Sequence, residues 1–174
     1  MSNSRTVLSV AALLIVCSTS GAQIFKHKLA APKEPTITYN RVEVKKVTFQ
    51  KASVDFVFVV DNPNSFGIDN VFADYELFLK EQSAGSGKDM KFKIAASGKS
   101  ELKMPLDIVY LHVFKSAEEL RKAIVAGQKT IPFRLETKFK LDLKVKKFEI
   151  PVTAKGEIPL PDLKSTSGVS HLPK

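Results

Sequence analysis

The stretch "ASVDFVFVVDNPNSFGIDN", residues 52–70, decides how this chain is read. Val54, Phe56, Phe58 and Val60 fall at every second position, the repeat that places side chains on one face of an extended strand. Val57 and Val59 make the opposite face apolar as well, so the strand is expected to be central and covered on both sides. It then runs into Asp61-Asn62-Pro63-Asn64. Pro63 has a fixed φ and no amide hydrogen, and it holds the preceding residue extended. Asn64 can bond its own backbone two residues on or take a positive φ, Asp61 and Ser65 can cap neighbouring amides, and Gly67 relieves a left-handed turn. These are the properties of a corner. Asn62, Pro63 and Asn64 therefore read first as turn builders and only second as a binding loop.

Alternation continues in both directions. Upstream, Ile37, Tyr39, Val42, Val44 and Val47 alternate with one slip near Asn40, the pattern of a strand with a bulge. Downstream, Val71, Ala73, Tyr75, Leu77 and Leu79 form another strand, and "EQSAGSGKD" reads as a Gly/Ser loop. "MKFKIAASG" and "KSELKMPLDIVYL" follow as strands, with Pro105 marking an edge or a bulge. One helix stands out in "SAEELRKAIVAG". Ser116 and Glu119 form a capping box, Gly127 ends the helix, and Phe114, Ala117, Leu120 and Ile124 are expected to face a sheet. Phe133, Leu135, Thr137, Phe139, Leu141 and Leu143 then alternate, and "FEIPVTAKGEIPLP" is the last strand. About seven strands and one helix predict a mainly β fold, an antiparallel β-sandwich of immunoglobulin- or fibronectin-like kind with the helix as a crossover.

The 174 residues suit one domain, and 44% hydrophobic content with twelve Phe and no Trp supplies a core filled largely by Phe rings. Residues 1–22 read as a secretory signal: one early positive charge, the apolar run "TVLSVAALLIV", then Ser20 and Ala22 before Gln23. A second processing route is open at Cys17, which directly follows the apolar run and could carry a lipid. Leu14 suits that route, and Val16 stands where a small residue is usual. Either route exports the chain to the periplasm or cell envelope, with no cysteine pair for a disulfide in the fold. Residues 23–35 carry two prolines and read as a tether, residues 36–163 as the folded domain, and residues 164–174 as a flexible tail.

The order of a long first strand, an apolar second strand ending in "DNPNSFGI", then "VFADYELFL", a capped helix and two alternating strands resembles the late embryogenesis abundant type 2 family, also called the WHy (water stress and hypersensitive response) domain. The resemblance covers roughly residues 36 to 160, with Asn62-Pro63-Asn64 as the signature turn. It implies a seven-stranded β-sandwich with one helix and a role in protection during desiccation, cold and other stress. Bacterial members often carry a signal peptide or lipid anchor.

A net charge of +9 favours anionic neighbours. Lys138, Lys140, Lys144 and Lys146 alternate with apolar residues and so align on one face, interrupted by Asp142. That stripe reads as a solvated outer face, or as an anion-binding surface for phospholipid or an acidic client. No nucleic-acid motif is present. His27, His112 and His171 lack metal-ligand spacing, no G-x-S-x-G or phosphate-binding glycine loop occurs, and no cofactor is expected. The sequence thus points to a non-enzymatic, stress-protective or chaperone-like binding module, whose partners are client proteins or an anionic membrane surface. The alternative is a structural or adaptor lipoprotein of an envelope complex.

Overall fold

Two-residue periodicity sorts the chain into two layers. The computed structural model describes residues 31–143 and 146–162. Seven strands are present among them: β1 (Thr36–Val47), β2 (Lys51–Asn62), β3 (Ile68–Leu79), β4 (Gln82–Ile94), β5 (Gly98–Val109), β6 (Thr130–Asp142) and β7 (Lys147–Pro159). All pairings are antiparallel, in a three-stranded sheet ordered β1-β2-β5 and a four-stranded sheet ordered β4-β3-β6-β7. The inward residues of both sheets form one core. Phe56 meets Phe133, and Phe58 meets Phe139, edge to face across the layers, each pair with centroids 5.1 Å apart. Such rings prefer this edge-on contact, and full burial of each side chain contributes about 1.5–3 kcal/mol.

The slip at Asn40 is a bulge, since the β1–β2 register shifts between Tyr39 and Arg41, and a second shift lies between Val44 and Lys46. Pro105 sits on β5, an edge strand, opposite Asp55. The stretch expected as a Gly/Ser loop is instead the first half of β4. Lys80 and Glu81, both at positive φ, make the two-residue turn, and Leu79 pairs directly with Gln82. Gly87 is stabilised in the strand by its partner Tyr75, whose ring packs so closely that a Cβ there would lie 2.4 Å from it. Phe133 covers its cross-strand partner Gly156 in the same way.

A single 3₁₀ turn (Tyr110–His112) and α1 (Ala117–Val125) carry the chain from the three-stranded to the four-stranded sheet. Ser116 Oγ accepts the Glu119 amide at 3.1 Å. The Glu119 carboxylate reaches back one residue further than a capping box requires, to the Lys115 amide at 2.8 Å. At the other end Gly127 at φ 91° closes a Schellman motif, with Gly127 N–H bonded to Ile124 O and Gln128 N–H to Ala123 O. Leu120 and Phe114 are buried and Ile124 packs on the core, but Ala117 is exposed and Ala123 takes the place expected for it. The helix is too short to bury more than one narrow stripe. Tyr110 fixes this crossover to β7: its hydroxyl donates to Pro159 O at 2.6 Å, and burial pushes its pKa up to about 12.

Candidate functional site

At one end of the sandwich the chain crosses twice between sheets, from β2 to β3 through residues 63–67 and from β4 to β5 through residues 95–97. Asn62 joins the two crossings. It is wholly buried, and its Nδ2 donates to Phe66 O at 3.0 Å and to Ala95 O at 2.8 Å. Its Oδ1 accepts both the Asn64 amide (3.1 Å) and Asn64 Nδ2 (2.9 Å). Two donor hydrogens and two lone pairs are thus all used, which is what burial of a carboxamide demands. Asn64 O accepts from Ser97 N–H at 2.9 Å, holding the second crossing from its other side.

The second asparagine does something less ordinary. In the β1–β2 ladder Thr36 faces Asp61 and Ile37 faces Val60. Continued outward, that register sets Lys33 opposite Asn64. The Asn64 backbone cannot carry the ladder on, because its N–H is bonded to Asn62 Oδ1 and its C=O accepts from Ser97 N–H. The Asn64 side chain carries it instead: Lys33 N–H donates to Oδ1 and Asn64 Nδ2 donates to Lys33 O, both at 2.8 Å. A carboxamide has the same donor and acceptor pair as a peptide group, and here it replaces one. Contacts to the sandwich therefore begin before β1. The residues were legible as corner builders, but their roles differ from those read: Asn62 and not Asn64 bonds the backbone two residues on, neither Asn64 nor Gly67 takes a positive φ, and the pairing with Lys33 and the link to Ala95 were not legible. The available signal was two amide side chains flanking a proline at the end of an apolar strand, which must find several partners if buried.

The lysines of the expected stripe are partly engaged. Lys140 Nζ lies 2.6 Å from Asp74 and 3.5 Å from Asp89, and Lys138 Nζ lies 3.5 Å from Glu149. The Asp74 hydrogen bond raises the Lys140 pKa, and Lys140 in turn holds the Asp74 carboxyl below its ordinary value. Lys146 Nζ sits 4.6 Å from the centroid of the Phe148 ring. Lys144 and Cys17 lie outside the described residues. Every Asp and Glu falls between Glu34 and Asp162, whereas Arg5, Lys26, Lys28, Lys33, Lys164 and Lys174 fall outside that span, so over half of the +9 is carried outside it.

The outer face of the three-stranded sheet is a network of ion pairs. Glu43 meets Arg41 (2.5 Å), Lys103 (2.8 Å) and Lys45 (3.1 Å), and Arg41 continues to Glu101 (2.7 Å). Lys45 continues to Asp55 at 3.2 Å, and Lys51 meets Asp107 at 2.5 Å. Lys103, then Arg41 and Lys45, lower the Glu43 pKa to about 2. Val57, the cross-strand partner of Arg41 and Lys103, points to this side and is nonetheless fully buried. The expected cover on the second face of β2 is therefore partial: Val57 is buried, Val59 is half-buried, and the face carries charged side chains and not another layer.

On the outer face of the four-stranded sheet an open depression of about 530 Å³ is lined by Asp74, Glu76, Glu136 and Lys138 among others. Its central carboxylates, Glu76 and Glu136, are cross-strand partners, the first hydrogen-bonded by Ser83 and the second paired with Arg134. Among the described residues no group of three or more His, Cys, Asp or Glu is placed to hold a metal ion, and no helix is long and apolar enough to cross a membrane.

A two-sheet β-sandwich with one crossover helix and a buried Asn-Pro-Asn corner defines the class. The family model for the late embryogenesis abundant protein matches residues 57–156, so the chain belongs to this family. The solution structure of AT1g01470 from Arabidopsis thaliana is similar, with 25% identity and a TM-score of 0.55, covering 80% of this chain and 91% of that one. A second solution structure, of At2g46140.1, assigned to the late embryogenesis abundant (LEA) class, has 26% identity and a TM-score of 0.58, covering 80% and 79%. No match was found among curated proteins.

Proposed function

We propose that this protein is an exported, non-enzymatic, stress-protective binding module of the cell envelope that holds weakly to client proteins or anionic surfaces when water is scarce. Membership of the late embryogenesis abundant family across residues 57–156 is the observation that carries this reading. The leader-like organisation of residues 1–22 supports export, with Cys17 as the candidate lipid attachment. Surfaces covered by ion pairs favour contacts that form and dissolve easily, because a partner must compete with charges already satisfied. Lys138 and Lys140 then lend themselves to salt-sensitive adsorption and not to tight capture.

The test is protection of unrelated reporter enzymes through drying and rehydration, against an equal mass of albumin, with anionic and neutral vesicles as parallel substrates. Broad protection of several reporters is expected. Protection no better than albumin refutes the reading, and stoichiometric capture of one envelope protein replaces it with an adaptor role.

A further inference from the structure

The corner reads peptide backbone. The two bonds from Asn64 to Lys33 engage only main-chain atoms, and the Lys33 side chain is exposed. The segment is held straight by its own sequence. Pro32 has a fixed φ, and Pro35 keeps Glu34 extended. Pro35 is buried while Glu34 is exposed, so the strap is pinned on one side of Lys33 and reaches the corner from there. Lys33 turns its N–H and C=O toward the same carboxamide, the arrangement with which an added strand meets a sheet edge. Any extended residue with a free N–H offers the same pair of atoms.

We propose that the Asn-Pro-Asn corner is a receptor for one extended peptide unit, filled here by Lys33 of the same chain and open to an extended segment of another polypeptide when that strap lifts. This rests on the client-binding reading given above and gives it a place and a chemistry. Recognition is indifferent to side chains, which suits a module that meets many unfolded segments. It is also weak. The slot makes two hydrogen bonds, and the strap competes at the millimolar effective concentration of a short connection.

The experiment uses the full chain carrying Lys33→Pro, which removes the strap's donor. The probes are a capped octapeptide copying residues 29–36, the same peptide with Ala for its Lys and Glu, and a third N-methylated at the Lys. The Asn64 side-chain amide signals are followed by NMR. Saturable shifts at millimolar peptide are expected, equal within about twofold for the first two peptides, at least about tenfold weaker for the N-methylated one, and about tenfold weaker for the unmodified chain. Asn64 signals that stay still in a folded Lys33→Pro protein overturn the proposal, and so does equal binding of the N-methylated peptide. Should that variant not fold, hydrogen exchange at the Lys33 amide of the unmodified chain decides: it should be protected, and peptide should speed it. Unchanged exchange overturns the proposal. Drying protection is read separately. Peptide binding without protection removes the client reading and keeps the slot, while protection without peptide binding does the reverse.

Discussion

Truncating Asn62 tests whether the corner is structural. Asn62→Ala deletes four hydrogen bonds at a wholly buried position. The losses are unequal. Phe66 and Ala95 are exposed residues, so water can replace Nδ2 at their carbonyls. Asn64 is only 6% exposed, and its amide and one Nδ2 hydrogen are left without an acceptor. Buried unsatisfied groups cost about 1–3 kcal/mol each, so the variant should lose about 2–4 kcal/mol, measured by urea unfolding with an unchanged m-value. Asn62→Asp separates hydrogen bonding from packing. A carboxylate keeps the two acceptor bonds but turns a negative oxygen toward the Phe66 and Ala95 carbonyls, so its folded pKa is raised above the unfolded one. Stability relative to the parent is then retained below the ordinary carboxylate pKa of about 4 and lost as pH rises through the raised value. An Asn62→Ala variant within about 0.5 kcal/mol of the parent, or an Asn62→Asp penalty indifferent to pH, refutes the reasoning.

Thr137 is 4% exposed, and its hydroxyl has no protein partner, so Thr137→Val should be neutral or stabilising by about 1 kcal/mol in the same unfolding assay. Glu43, Asp74, Glu101 and Asp107 have lowered pKa values, Glu43 to about 2, so the unfolded chain binds more protons than the fold in acid. Stability should hold from neutrality to about pH 5 and fall below it, and Glu43→Gln should flatten the lowest part of that decline. Mass spectrometry of the mature native protein should find a start at Gln23 without acyl mass; a lipid-modified Cys17 would instead establish an anchor.

What was legible in the sequence was local chemistry. The slip at Asn40, the Ser116 cap and the Gly127 terminus each depend on a few adjacent residues, and each appears where read. The first half of β4 was hidden for the opposite reason. Gly85-Ser86-Gly87 is loop composition, and only a ring from another strand makes Gly87 tolerable in a sheet. Lys80 and Glu81 carry no turn signature, yet they take positive φ because the hairpin register demands it. The lysine row was visible as alternation, but its partners Asp74, Asp89 and Glu149 come from neighbouring strands. The grip on Lys33 spans 31 positions and replaces a backbone interaction with a side-chain one, which no periodicity encodes.

The ion pairs above Val57 behave differently when water is withdrawn. In dilute buffer each exposed pair contributes at most about 1 kcal/mol, since water at a dielectric near 80 weakens the attraction. Withdraw that water and the same charges face a medium of far lower permittivity. Unpaired ions would then be stranded, but Glu43 already has Arg41, Lys45 and Lys103 within 3.1 Å. The coat of charge tightens as the solvent leaves, so this side of the sandwich should be held most firmly at the lowest water content.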